Sequence, residues 1–261
     1  MYCNKLKLIA LFVILAISSS CKKDSLTDDG FDPSVGPINI PASVDPDPIK
    51  QDTVNKYIVV IGSSTAAGYG ASVRDSCWVA RLRSKLIGDN KRFKVINFGV
   101  GGYSTYKLMP TGYVSEIENR PQVDTNKNVT AALKYHPALV IINLPSNDIA
   151  ANFRDEEILK NYRVIIRTIA SSRAEYIITG SQPRNFPAVE QRRRLKIVND
   201  KMIGEYPTHI DDYLQKISTP TFGILKKYSA GDGIHLNNAG HKLIYQSIYD
   251  FPLFKNVADY K

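Results

Sequence analysis

The sequence is poor in the residues that build disulfide frameworks and metal centres. Of its 261 residues only three are cysteines and four are histidines. Cys3 and Cys21 belong to the N-terminal segment discussed below, so Cys77 stands alone in the remainder and cannot form an internal disulfide. The histidines show no metal-ligand spacing. The sequence therefore predicts no metal site and no cofactor.

Long apolar runs, internal repeats and a second domain boundary are also missing. The apolar run at residues 8–17 is too short to span a bilayer comfortably. With 43% hydrophobic and 23% charged residues, the composition suggests neither a disordered chain nor a membrane-spanning protein. The length leaves room for one sizeable α/β domain.

The first twenty residues are typical of a secretory signal peptide. Lys5 and Lys7 precede the apolar run, and three serines come directly before Cys21. A cysteine at this position resembles the lipobox of bacterial lipoproteins, and the resemblance implies that Cys21 carries a lipid anchor. The alternative is a plain secretion signal in which Cys21 has no role.

Residues 22–54 are rich in Asp, Pro and Ser and lack apolar periodicity, which predicts a flexible tether. The start of this segment, at residues 21–24, resembles mature lipoproteins of Bacteroidetes-type bacteria. We therefore expect a signal peptide at 1–20, a tether at 21–54 and a catalytic domain at 55–261. The expected location is the bacterial envelope or cell surface, with the lipid as the only contact with the membrane.

Basic residues outnumber acidic ones, with 34 Lys and Arg against 25 Asp and Glu. The excess is concentrated at Arg184 and residues 192–194. A solvated helix face explains the run best, and contact with an anionic polysaccharide or headgroup is the alternative. An exported, tethered protein is not expected to bind nucleic acid.

Strand and helix patterns alternate through the domain. Strands are predicted at residues 57–61, 93–98, 138–144, 175–179 and 209–213. Helices are predicted at residues 78–87, 128–135 and 189–206, around Ile158 to Ile169, and at the end of the chain through Ile248, with a long surface loop at 106–124. This order predicts a three-layer α/β/α fold with a mostly parallel central sheet of about five strands.

Small polar loops follow three of the predicted strands. Ser64, Gly102 and Asn147 lie in these loops, and the carboxyl ends of parallel strands meet at one edge of a sheet. Asp232 and His235 are three residues apart, so the carboxylate can hold imidazole Nδ1–H while Nε2 faces another group. With Ser64 as the candidate nucleophile, these residues indicate acyl transfer.

At this point the sequence resembles the SGNH (GDSL-type) hydrolase superfamily over almost all of residues 57–248. Its four motifs fall in order on Gly62-Ser63-Ser64, on Gly102, on Asn147 and on Asp232-x-x-His235. The resemblance implies a flavodoxin-like α/β/α fold and a triad of Ser64, His235 and Asp232. It also implies an oxyanion hole made of the backbone N–H groups of Ser64 and Gly102 and the side-chain amide of Asn147.

Two departures from the family pattern leave alternatives open. Ser63 replaces the usual acidic residue before the nucleophile, and Pro145 stands where glycine is common. The main hypothesis is a carboxylic ester hydrolase acting on O-acetyl groups of glycans, with Tyr103 and Tyr106 available to contact sugar. A lipase or lysophospholipase, and a non-catalytic glycan-binding lipoprotein with the same fold, are the alternatives. An α/β-hydrolase fits poorly, because Ala66 stands where the second glycine of its nucleophile elbow should fall.

Overall fold

The structure is a computed structural model, and it describes residues 56–144 and 146–259. The predicted signal peptide, the predicted tether, the expected lipidation site at Cys21 and the departure at Pro145 all lie outside these residues. Within the described residues, no helix is long and apolar enough to cross a membrane.

The centre of the described domain is a five-stranded sheet. Its strands are β1 (Lys56–Gly62), β2 (Phe93–Asn97), β3 (Leu139–Asn143), β4 (Glu175–Thr179) and β5 (Ile210–Asp211). They lie in the order β2-β1-β3-β4-β5, and every neighbouring pair is parallel. The predicted α/β fold with a mostly parallel sheet of about five strands is confirmed.

Helices cover both faces of this sheet. They are α1 (Ser64–Ala67), α2 (Trp78–Gly88), α3 (Thr105–Leu108), α4 (Val129–Leu133), α5 (Ser146–Ala150), α6 (Asp155–Ser171), α7 (Val189–Glu205), α8 (Leu214–Ile217), α9 (Asn238–Asp250) and α10 (Pro252–Asp259). Short 3₁₀ turns occur at Arg74–Ser76 and Lys226–Tyr228. The sequence did not predict α10, which starts on a proline, a residue tolerated in the first turn of a helix.

One prediction is wrong in part. Residues 106–124 were expected to form a surface loop, but Tyr106 and Leu108 belong to α3 and, with Met109, are buried in the core. The proline and glycine that follow at positions 110 and 112 led to an irregular assignment for the whole stretch. The first part of this stretch lies in the core because the burial of Tyr106, Leu108 and Met109 is favourable.

The strands β1 and β3 are buried on both faces. In β1, Val59 and Ile61 pack into the apolar layer that holds α4, α6 and α7, whereas Ile58 and Val60 pack into the layer that holds α2 and α9. Successive side chains of a strand point to opposite faces, so a continuous β-branched run is needed to fill both layers.

The faces on which the connecting helices lie determine where a ligand can bind. The helix between β1 and β2 lies on one face of the sheet, and the helices that follow β2, β3 and β4 lie on the other face. The direction of winding therefore reverses between β1 and β3, which are neighbours in the sheet. In open α/β sheets the ligand crevice lies outside the carboxyl ends of the strands at this switch point. Ser64 follows β1 and Asn147 follows β3.

Candidate active site

Ser64 is the first residue of α1 and is separated from the end of β1 by Ser63 alone. Gly62 permits the close approach of β1 and β3 at this turn, since a Cβ there would lie 2.6 Å from the Asn143 carbonyl oxygen. The Ser63 N–H donates to the same carbonyl oxygen at 3.2 Å, which fixes the turn. Because the first N–H groups of a helix have no partner within it, the backbone N–H of Ser64 has no acceptor within α1.

His235 connects Ser64 with Asp232. Its Nε2 lies 3.0 Å from Ser64 Oγ, and its Nδ1 lies 2.6 Å from Asp232 Oδ2. The other carboxylate oxygen, Oδ1, accepts the backbone N–H groups of Ile234 at 2.9 Å and His235 at 2.8 Å. The structure thus brings together the three residues that the sequence proposed as a triad, in the order serine, histidine, aspartate.

The Asp232 carboxylate is held in its ionised form. Burial by itself would raise its pKa, but hydrogen bonds from the backbone and side chain of His235 and from the Ile234 backbone outweigh burial and lower the pKa to about 2. The side chain is nevertheless 46% exposed, so water contributes to its stabilisation. With Asp232 ionised, Nδ1 of His235 carries a hydrogen, and Nε2 is available to accept the Ser64 proton.

Gly102 lies in the loop after β2. Its φ is +80°, a conformation that favours glycine, whereas a Cβ added there would meet no atom within 4 Å. The glycine is therefore required by the backbone conformation and not by crowding. The loop is tied to the nucleophile turn because the Val100 N–H donates to the Gly62 carbonyl at 3.2 Å and Asn97 Nδ2 donates to the Ala66 carbonyl at 2.7 Å.

Asn147, in α5, completes the set of predicted oxyanion-hole residues. Its Nδ2 donates to the Tyr103 carbonyl at 2.9 Å, which leaves the second Nδ2 hydrogen available, and its Oδ1 accepts from Arg184 Nη1 at 3.3 Å. Both contacts require the same orientation of the amide. The next residue, Asp148, accepts hydrogen bonds from the backbone N–H and the hydroxyl of Thr105, and burial raises its pKa to about 7.

The predicted sugar contacts of two aromatic residues are not supported. Tyr106 is buried and its hydroxyl donates to Glu157 at 2.8 Å, while the Tyr103 hydroxyl donates to Asp124. Tyr69, which the sequence did not single out, is 54% exposed and packs edge-on against the His235 ring with centroids 5.6 Å apart. It forms an aromatic side of the site.

His241 has a structural role that sequence reasoning missed. It is fully buried in α9, where Nδ1 accepts the Trp78 N–H at 3.4 Å and Nε2 faces the Tyr69 carbonyl at 3.0 Å. Acceptance of the Trp78 N–H by Nδ1 requires the neutral ring, in which Nε2 carries the hydrogen that faces the Tyr69 carbonyl, and burial lowers the pKa of His241 accordingly. No local pattern signals this role, since both partners lie more than 160 residues away.

Gln182 is a second residue that the sequence reasoning missed. It is buried in the loop after β4, where Oε1 accepts from Thr65 Oγ1 at 2.5 Å and Nε2 donates to the Ile234 carbonyl at 2.7 Å. Thr65 follows Ser64, and Ile234 precedes His235. Gln182 therefore bridges the two segments that carry the serine and the histidine.

We expect Gln182→Leu to lower kcat by roughly tenfold to a hundredfold with a smaller change in KM, because a shift of about 1 Å between reacting groups has an effect of this size. Steady-state kinetics on 4-nitrophenyl acetate measure both constants. Gln191→Leu is the matched control. Gln191 lies on α7, and its side-chain amide donates to the Ile149 carbonyl. An unchanged kcat in Gln182→Leu would show that the bridge does not position the histidine.

The arrangement is suited to acyl transfer by a serine nucleophile. A hydroxyl, an imidazole and an ionised carboxylate form one hydrogen-bonded chain. In the part of the chain that the structure describes, no group of three or more His, Cys, Asp or Glu side chains could hold a metal ion.

Comparison with known proteins agrees with this reading of the fold. The sequence model of the GDSL-like Lipase/Acylhydrolase family matches residues 60–243, which includes every residue of the candidate site. No curated protein is similar in sequence at a significant level.

Solved structures of similar fold are available at low identity. The structure of TesA is 19% identical, with 77% of this chain and 99% of that chain covered and a TM-score of 0.59. The psychrotrophic esterase EstA from Pseudoalteromonas sp. is 18% identical, with 76% and 96% covered and a TM-score of 0.56. A carbohydrate acetylesterase family member from Sinorhizobium meliloti is 18% identical, with 78% and 100% covered and a TM-score of 0.53.

Proposed function

Because the chain belongs to the GDSL-like lipase/acylhydrolase family and is a carboxylic ester hydrolase, we propose that Ser64, His235 and Asp232 are its catalytic triad and that its substrates are O-acetylated carbohydrates. The observation that carries the proposal is the continuous hydrogen-bonded chain from Ser64 Oγ through both nitrogens of His235 to Asp232 Oδ2.

The mechanism proceeds through an acyl-enzyme. His235 Nε2 removes the proton of Ser64 as Oγ attacks the ester carbonyl, and Asp232 stabilises the imidazolium that results. The tetrahedral intermediate collapses, the bond to the sugar oxygen breaks, and His235 donates its proton to that oxygen. Water then attacks the acyl-enzyme with His235 as base, which releases acetate and restores the Ser64 hydroxyl.

The negative charge of the intermediate develops on the former carbonyl oxygen. The N–H of Ser64, the N–H of Gly102 and the free Nδ2 hydrogen of Asn147 are the proposed donors to this oxygen. Each such donor typically contributes about 3 kcal/mol to the transition state. The contact of Asn147 with the Tyr103 carbonyl supports this role, because it holds the amide beside Gly102 before substrate binds.

The choice of acetylated sugars rests on two supports. The exposed Tyr69 beside His235 offers an aromatic surface of the kind that packs against a sugar ring. The Sinorhizobium protein of similar fold is described as a carbohydrate acetylesterase family member, which agrees with this substrate class. We further propose, from the N-terminal sequence alone, that residues 1–20 direct export, that Cys21 is lipidated and that residues 21–54 tether the enzyme to the bacterial envelope.

Acyl-chain preference and acetate release test this substrate class. We expect kcat/KM for 4-nitrophenyl acetate to exceed that for the octanoate by about tenfold or more, since each extra methylene that a pocket cannot hold lowers transition-state binding. We also expect acetate release from acetylated xylan. A preference for octanoate would contradict the proposal and favour a lipid substrate.

A further inference from the structure

The basic cluster noted in the sequence divides into two parts in the structure. Arg194 pairs with Asp155 at 2.7 Å, Arg193 pairs with Glu190 at 3.3 Å, and Arg192 donates to the Phe186 carbonyl at 3.0 Å. These three lie on α7 with partners of their own. Arg184 is different, because its contacts lead to the candidate active site.

Arg184 lies on a loop that is fixed to the histidine loop. The N–H of the next residue, Asn185, donates to the Gly233 carbonyl at 2.8 Å, and Asn185 Oδ1 accepts the Ile224 N–H at 2.7 Å. The side chain of Arg184 contacts the opposite side of the site, where Nη1 donates to Asn147 Oδ1 at 3.3 Å. Arg184 therefore spans the distance between the loop of Asp232 and His235 and the proposed oxyanion hole.

The guanidinium is partly removed from water without a salt-bridge partner. Among the described residues, no carboxylate oxygen lies within 4.0 Å of Arg184, and Asp232, whose charge favours the cation from farther away, is engaged with His235. The ring of Phe186 lies 5.0 Å from the guanidinium carbon. Arg184 is intermediate in exposure, and this partial burial lowers its pKa. A half-buried cation of this kind is costly unless an anion pairs with it.

Only one of the five N–H donors of Arg184 has a described acceptor, the Asn147 amide oxygen. A guanidinium presents the remaining donors as a planar fork that matches the two oxygens of a carboxylate. We propose that Arg184 binds a carboxylate on the alcohol part of the substrate, so that the preferred substrates are O-acetylated acidic sugars such as acetylated uronates. The inference rests on the proposed function and specifies its substrate.

A matched pair of small esters tests this recognition. The carboxylate of 4-acetoxybenzoate is neutralised in methyl 4-acetoxybenzoate, and both are acetyl esters of a phenol. For Arg184→Gln we expect the ratio of kcat/KM for the charged over the neutral ester to fall roughly 10- to 100-fold, the range for a charge-assisted hydrogen bond. Arg184→Lys keeps the charge without the planar fork, so its ratio of kcat/KM should lie between the ratios of wild type and Arg184→Gln.

A second test of the same proposal compares two polymeric substrates, acetylated polygalacturonate, which is acidic, and acetylated xylan. We expect the wild-type enzyme to release acetate faster from the acidic polymer, and Arg184→Gln to lose this preference. Arg193→Gln removes an exposed arginine on α7 and is the control, with both ratios expected to stay at the wild-type value.

The possible outcomes distinguish failure of the carboxylate proposal for Arg184 from failure of the proposed esterase function. If Arg184→Gln lowers the rates on charged and neutral esters by the same factor, Arg184 acts only through Asn147 and the carboxylate proposal is overturned. An unchanged ratio in Arg184→Gln also overturns it, while Ser64-dependent hydrolysis of the neutral ester would still support the proposed function. If the wild-type protein hydrolyses neither ester nor polymer, the proposed function and the inference built on it both fail.

Discussion

Ser64→Ala is expected to lower kcat for ester hydrolysis by about 10⁶-fold, the loss known for removal of a serine nucleophile from a triad. The missing oxygen is the atom that forms the acyl-enzyme bond, and neither His235 nor the oxyanion hole can replace it. The expected residual rate above that in water comes from substrate binding and from the N–H donors. Turnover of 4-nitrophenyl acetate, measured at high enzyme concentration, gives the ratio.

Ser63→Ala is the matched control for this experiment. Ser63 is also a buried serine, it lies next to Ser64, and its side chain does not cap α1. Because only a hydroxyl is removed in each variant, both are expected to fold, and thermal unfolding checks this. We expect Ser63→Ala to keep kcat within a few-fold of wild type, which would also show that the serine replacing the family's acidic residue is not needed for the chemistry.

The nucleophile can be identified independently by covalent labelling. A fluorophosphonate ester should modify the wild-type protein once, on the peptide that contains Ser64, and should leave Ser64→Ala unlabelled in mass spectrometry. Retention of more than about 1% of wild-type kcat by Ser64→Ala would contradict the assignment, because a nucleophile cannot be deleted at so small a cost.

The sheet could be predicted almost completely from the sequence. Strands β1 and β3 are short apolar runs bounded by polar loops, and such runs are nearly sufficient to define buried parallel strands. The prediction was weakest where the pattern is short or mixed. Strand β5 has only two residues in the sheet, and the buried α3 is followed at once by a proline and a glycine that favoured a loop.

Local spacing explains why part of the candidate site was accessible to sequence reasoning. Asp232 and His235 are three residues apart, so their contact is set by one loop. Gln182 and Thr65 are 117 residues apart, and nothing in either segment encodes the other. The same holds for Arg184, whose basic neighbours on α7 led to a collective interpretation of the cluster. Contacts that depend on how loops meet in three dimensions required the structure.

Asp232→Asn is expected to lower kcat by roughly 10³- to 10⁴-fold with the fold intact. The amide oxygen can still accept the Ile234 and His235 N–H groups, so the loop should persist. The amide nitrogen would then face His235 Nδ1 and donate to it. That contact favours the tautomer with the hydrogen on Nε2, which cannot accept the proton of Ser64.

Solvent exposure helps to separate the two contributions of Asp232. Because the side chain is 46% exposed, water screens part of its charge, and the electrostatic share of the loss should be smaller than at a buried aspartate. The tautomer preference depends on the hydrogen bond to Nδ1 and not on screening. A large loss that varies little between low and high salt would therefore favour tautomer control, whereas a loss that shrinks at high salt would contradict it, because salt screens the charge of Asp232.

Asp212→Asn supplies the control, since Asp212 Oδ1 also accepts a backbone N–H two residues ahead, from Leu214 at 3.0 Å, in a turn without the histidine. We expect its kcat to stay within a few-fold of wild type. If Asp232→Asn keeps more than about a tenth of wild-type kcat, the ring of His235 is oriented without Asp232, and its contact with the Ser64 hydroxyl must be maintained by the surrounding loops. In that case Gln182, which joins the segments of Ser64 and His235, becomes the residue expected to show the larger loss.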